Sequence, residues 1–164
     1  MKICKPPIAP VLAEHARVVF FAGTIDMGAS IDWQADLARE LADVEERAGI
    51  ELAVLNPRRD AWDANWEQRI GNPMFREQVE WELDGLDRAD VIAMWFAPDS
   101  KAPITLLELG LTARTGKLVV GCPDGFWRKG NIEVVAARHG IELAHDWTSF
   151  VALVRGRLTT ASRR

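Results

Sequence analysis

The sequence predicts an α/β sandwich, a parallel sheet covered by helices on both faces. Apolar runs such as Val91-Ile92-Ala93-Met94-Trp95-Phe96 lack the alternation of a half-exposed strand, so both of their faces are buried. Segments with apolar residues at helical spacing follow these runs in turn. Glycine, proline or asparagine marks most of the junctions between them.

The first strand is read at 17–23, an apolar run ending in Gly23. Trp33, Leu37, Leu41 and Val44 mark the first helix, capped by Ser30 and stopped at Gly49. Residues 50–55 give the second strand, and a long polar loop at 56–72 follows. Loops of that length are functional or disordered. The second helix spans 73–86, with Phe75, Val79, Leu83 and Leu86 inward, and 90–96 is the third strand. The third helix covers 103–114 and is closed by Gly116, and 117–122 is the fourth strand. Ile132, Val135 and Ala136 mark a fourth helix ending near Gly140, before a short strand at 141–143. Asp146 caps a last helix carrying Trp147, Phe150, Val151 and Val154. One domain at 17–158 is expected, with an N-terminal extension at 1–16 and a tail at 159–164.

Five such units suggest a flavodoxin-like three-layer sandwich with a five-stranded parallel sheet in the order 2-1-3-4-5. In that order a ligand lies beyond the carboxyl ends of strands one and three, where the winding reverses. Those ends are Gly23-Thr24-Ile25-Asp26 and Ala97-Pro98-Asp99.

Composition narrows the function. A chain of 164 residues with 48% apolar and 27% charged residues suits one soluble domain with its own core. A net charge of -4 argues against a nucleic-acid partner. No apolar run has membrane-spanning or signal-peptide length, so the cytoplasm is expected. Cys4 and Cys122 read as free thiols, and His15, His139 and His145 share no ligand spacing, so neither a metal nor a cofactor is expected. The first loop lacks the lysine of a phosphate loop and the spacing of a dinucleotide fingerprint.

The chemistry is therefore sought in carboxylates. Ile104, Leu107 and Leu111 form a helical stripe expected to face the core, and Glu108 stands inside it. A buried ionised carboxylate is costly unless a partner or a function holds it. Glu108 either pairs with an arginine, caps a neighbouring backbone, or does chemistry. Asp99 lies in the turn just before this helix. Gln78 and Glu82 share the inward flank of the second helix one turn apart, either as a simple contact or as support for the site. At the end of strand two, Asn56 and Arg58 offer polar groups that either balance an active-site carboxylate or remain solvated. Gly23, Thr24 and Asp26 form either a ligand-binding loop or a tight turn.

FFAGTID, LNPRRDAW, EQVEWE, ADVIAMWF and PITLLELG, in this order and spacing, resemble the nucleoside 2-deoxyribosyltransferase family, in its branch with an N-P-R-R loop. The resemblance implies cleavage of the N-glycosidic bond of a 2'-deoxynucleoside and transfer of the sugar to a free nucleobase. Glu108 matches the nucleophile of the E-L-G motif, and Asp99 the acid that handles protons on the base. Asp90 matches the acid opening the third strand, while Gly23 and Asp26 match the loop bordering the base. The family closes its pocket across subunits with an asparagine, matched by Asn131. A homodimer or higher homo-oligomer is thus implied, with Trp62, Trp66 and Trp127 as candidate interface or pocket rings. Hydrolysis in place of transfer requires only that water reach the intermediate. The first loop has Ser30 and no arginine, which favours unphosphorylated nucleosides over 5'-monophosphates.

Overall fold

A computed structural model describes residues 1–25, 31–63 and 65–160. Its elements are β1 (Lys2–Cys4), β2 (Arg17–Gly23), α1 (Trp33–Glu40), α2 (Val44–Ala48), β3 (Leu52–Leu55), α3 (Pro73–Arg88), β4 (Val91–Trp95), α4 (Pro103–Thr112), β5 (Leu118–Gly121), α5 (Lys129–His139), β6 (Glu142–Ala144) and α6 (Trp147–Thr159).

The architecture is flavodoxin-like α/β, and the sheet corrects the expected strand count. It has six parallel strands in the order β1-β3-β2-β4-β5-β6, not five in the order 2-1-3-4-5. The additional strand comes from the segment read as an extension. Lys2, Ile3 and Cys4 pair with Ala53, Val54 and Leu55, and Asn56 N–H donates to the Cys4 carbonyl at 2.9 Å. The winding still reverses between β2 and β4, so the site position expected for this topology is unchanged.

Strand side chains alternate between two cores. Phe20, Ile92 and Met94 meet Trp81, Leu86, Leu109 and Ile132 on the side of α3, α4 and α5. Phe21, Ala93 and Trp95 meet Trp33, Leu37, Phe150 and Val154 on the side of α1 and α6. Burial on both faces is what makes the strands continuous apolar runs.

Three helices differ from expectation. The first is broken at Leu41, and α2 begins after Asp43, which Arg155 of α6 holds at 2.7 Å. Asp32, whose carboxylate accepts from Ala35 N–H at 3.0 Å, is the cap of α1, and Ser30 lies outside the described residues. In α3 the buried face carries Gln78, Trp81, Gly85 and Leu86, while Leu83 is exposed. In α4 the inward face is Thr105, Glu108, Leu109 and Thr112. Ile104, Leu107 and Leu111 point outward at 59%, 58% and 59% exposure, the reverse of the expected stripe.

Candidate active site

The carboxyl ends of β2, β3 and β4 and the amino end of α4 surround one polar cluster. The loop after β4 is shaped by hydroxyls. Ser100 Oγ donates to the Ala97 carbonyl at 2.8 Å and lies 3.1 Å from Thr24 Oγ1, which accepts from Ala97 N–H at 3.2 Å. Thr24 is fixed in turn, because its carbonyl accepts from Trp33 Nε1 at 2.8 Å. Asp99 and Ala102 adopt left-handed backbone, with φ of 60° and 40°. That conformation is uncommon for residues with a Cβ and marks a conformation imposed by the surroundings.

Glu108 is buried at 8% exposure on the sheet-facing side of α4. Neither bland account of it applies: among the described residues it has no arginine partner, and no donor reaches its carboxylate. Burial, and then repulsion from Glu82, push its pKa up to about 8. Burial likewise raises Glu82 to about 7, offset in part by the hydrogen bond from Gln78 Nε2 at 2.8 Å. Gln78 is itself anchored by donating to the Pro57 carbonyl at 2.9 Å, at the end of β3. A buried and a partly buried carboxyl that repel each other share protons near neutrality, so the cluster can hold one proton and one charge together.

Gln78, Glu82 and Glu108 are thus brought together, Thr24 is bound to the loop after β4, and Gly23 and Asn56 stand at the carboxyl ends of their strands. Gly23 has φ 144°, and a Cβ there would lie 2.3 Å from the Trp95 carbonyl oxygen, so the close approach of β2 to β4 requires glycine. Asn56 Oδ1 accepts from Arg58 N–H at 3.0 Å and turns the chain after β3. Asp99 and Asn131 are exposed at the same edge, on the loop after β4 and the first turn of α5. Asp90 is not brought there. It sits at the amino end of β4, where its carboxylate accepts from Val18 N–H at 2.9 Å and faces Arg17 at 3.9 Å. Asp26 lies outside the described residues.

Sequence reasoning missed Ser100 and Gln34. Ser100 was legible only as a hydroxyl beside Asp99. Gln34 was legible as a polar residue next to Trp33 in an apolar phase of α1. A surface cleft of about 360 Å³ between Pro7, Pro10 and α3, and one of about 650 Å³ at residues 65–72, include neither Glu82 nor Glu108. Among the described residues no cluster of His, Cys, Asp and Glu can hold a metal ion, and no helix is long and apolar enough to cross a membrane.

The chain belongs to the nucleoside 2-deoxyribosyltransferase-like family, whose model matches residues 16–126. Membership places it among proteins of glycosyl transfer or N-glycoside cleavage on nucleoside compounds. A conserved protein from Enterococcus faecalis V583 shares the fold, with a TM-score of 0.59 at 10% identity over 87% of this chain and 99% of that one. The CMP N-glycosidase BcmB of Clostridium botulinum aligns with a TM-score of 0.44 at 14% identity, over 84% of this chain and 98% of that one. No curated protein matches the chain significantly.

Proposed function

We propose that the protein cleaves the N-glycosidic bond of 2'-deoxynucleosides through a covalent intermediate on Glu108 and transfers the sugar to a second nucleobase. The observation that carries this reading is the buried Glu108 carboxyl, without a donor or a cation, beside the partly buried carboxyl of Glu82. A group so placed costs stability, and a nucleophile for a cationic sugar carbon offsets that cost with chemistry.

Ionised Glu108 attacks C1' as the bond to the base breaks, and the departing nitrogen takes a proton. The acceptor base then attacks C1', the ester to Glu108 breaks, and the acceptor's proton returns to the protein. This is the double displacement of retaining glycosidases. Asp99 on the loop and Glu82 in the cluster are the two carboxyls available to carry the proton. Glu108 has the higher pKa of the pair, so the proton held there passes to Glu82 as Glu108 ionises for attack, and Glu82 can then deliver it to the base. Thr24, Gln78, Gly23 and Asn56 border the substrate, and Asp99 meets the outer edge of the base. Hydrolysis is the competing outcome, decided by whether water or a base reaches the intermediate.

We further propose a homo-oligomer in which a neighbour covers the open side of the site, with Asn131 at the boundary. The deciding experiment incubates the protein with each 2'-deoxynucleoside, with and without a second free base. Exchange of bases indicates transfer, and free deoxyribose indicates hydrolysis. Intact substrate under all conditions rejects both. Thymidine should turn over faster than 5-methyluridine, because the missing 2'-hydroxyl eases positive charge at C1'.

A further inference from the structure

Gln78 is held in one orientation, and that orientation decides what it does to its neighbours. It is buried at 3% exposure on the inner face of α3. The Pro57 carbonyl can only accept, so the amide turns its nitrogen toward it, and Nε2 donates there at 2.9 Å. The second N–H of the same nitrogen goes one helical turn on, to Glu82 Oε1 at 2.8 Å. Pro57 is a firm anchor, because Asn56 N–H donates to the Cys4 carbonyl and Arg58 N–H to Asn56 Oδ1 on either side of it. Gln78 Oε1 is left buried without a donor. Turning the amide over would set that oxygen against two others, so the arrangement stands despite its cost. Glu82 therefore meets a donor that cannot become an acceptor, while no donor reaches Glu108 among the described residues.

An N–H binds a carboxylate about twice as strongly as it binds a neutral carboxyl. The other charged side chains on the surrounding elements have partners of their own or stand apart. On the turn after β3, Arg58 leans on Asp32 at 3.7 Å and Arg59 on Glu77 at 3.0 Å. Arg76 and Glu80 pair along α3, and Lys129 of α5 is held by Asp124. Arg17 and Asp90 sit at the amino ends of β2 and β4, and Asp99 and Lys101 are exposed on the loop after β4. We propose that Gln78 is a positioning residue for the reaction: as a one-way donor it keeps the charge of the carboxyl pair on Glu82 and leaves the shared proton on Glu108 until substrate binds. This rests on the glycosidic reading for the reaction alone. The order of the two groups agrees, with Glu82 at about 7 and Glu108 at about 8. The resting nucleophile is then a neutral acid. For attack, the O–H bond on Glu108 breaks as one forms on Glu82, and the charge passes to Glu108. As Glu108 bonds to C1', Glu82 gives that proton to the departing base nitrogen, which takes the electron pair of the glycosidic bond. Gln78 makes the first of these transfers uphill.

The test follows the glutamate carboxyl carbons of the isotope-labelled full chain against pH by nuclear magnetic resonance. Glu82→Gln and Glu108→Gln assign the two signals. In the wild type Glu82 should ionise before Glu108 as pH rises. Gln78→Met removes the donor at similar volume, so the Glu82 midpoint should rise by about one unit and the order should close or reverse. A wild type in which Glu108 ionises first overturns the proposal, whatever the variant does. A Glu82 midpoint unchanged in Gln78→Met overturns it too. If both midpoints fall toward the ordinary carboxylate range, the variant has let water in, and Gln78 is structural only. In turnover of 2'-deoxynucleosides, the pH optimum of kcat/KM should move upward in Gln78→Met, and an unchanged optimum overturns the tie to the reaction. If no base is released from any substrate, the glycosidic reading falls, while the titration still decides where the proton rests.

Discussion

Glu108 sits between Thr105, Leu109 and Thr112 with its carboxyl facing neither a cation nor a donor, and the fold is less stable for it. Its folded pKa of about 8 lies above the ordinary 4.5, so the folded state binds an extra proton between those values. This group's contribution is therefore most favourable below pH about 4.5 and is lost as pH rises to about 8. Glu108→Gln is neutral throughout. It should melt close to the wild type at pH 5 and several degrees above it at pH 9, an advantage of a few kcal/mol. The same variant should lose glycosidic activity by at least about a thousandfold, since the covalent step is gone. A variant that is active, or no more stable than the wild type at pH 9, speaks against the assignment. The proton carrier is separable in the same way. Glu82→Gln and Asp99→Asn each keep shape and remove an acid, and the true carrier should cost about a hundredfold or more in rate. That loss should shrink for substrates with good leaving groups, while an equal loss for every leaving group marks a structural role.

Helix α3 carries Gln78 and Glu82 at the height that Gly85 allows. A Cβ at Gly85 would stand 2.6 Å from the Phe20 ring, which is itself fully buried and has nowhere to move. Gly85→Ala gains roughly 1 kcal/mol in helix propensity, but lifting the helix off β2 costs about 1–3 kcal/mol. The expected net effect is a lower melting temperature together with weaker activity, read by calorimetry and turnover on one sample. An unchanged melting point would mean that the helix tilts freely and that Gly85 does not set its height. This contact explains what the sequence hid. Buried strands are legible because both faces are apolar, whereas helix phase depends on small residues whose role appears only in packing. Leu83 was read as inward while Gly85 takes that place. The burial of Glu108 was inferred from a stripe of Ile104, Leu107 and Leu111 that faces outward; Glu108 stands at the edge of that stripe, which is why it is buried all the same. Strand β1 escaped notice because three residues followed by prolines carry too little pattern. Asp90 and Asp99 look alike in sequence, and only the direction of β4 separates the end that caps a strand from the end proposed to meet substrate.

The outer face of α4 bears on the assembly proposed above. Pro103, Ile104, Leu107, Gly110 and Leu111 are exposed, and the one charged residue between Lys101 and Arg114, Glu108, faces the sheet instead. With the exposed Trp127, whose Nε1 donates to the Lys101 carbonyl at 3.1 Å, they present apolar surface on the order of several hundred Å². Apolar periodicity cannot tell a face turned to the core from one turned to another subunit, and the stripe read as core is the face we propose for contact with a neighbour. It is self-complementary: two copies of α4 crossing antiparallel about a two-fold axis set Ile104 against Leu111 and bury no charge. Glu108 lies on the same helix, so pairing there would bring a second chain beside the site and restrict water at it. By contrast, Trp62 and Trp66 pack on each other at 5.1 Å between ring centres, with the Arg59 guanidinium 5.0 Å from the Trp66 ring. Sedimentation of the wild type at micromolar concentration should give a dimer or a larger even assembly. Leu107→Asp places a charge at the centre of the stripe and should yield a folded monomer with reduced turnover. Asn131→Ala should lower activity without changing the assembly. A wild-type monomer with full activity would mean that one chain completes the pocket, and that neither the α4 face nor Asn131 serves a neighbour.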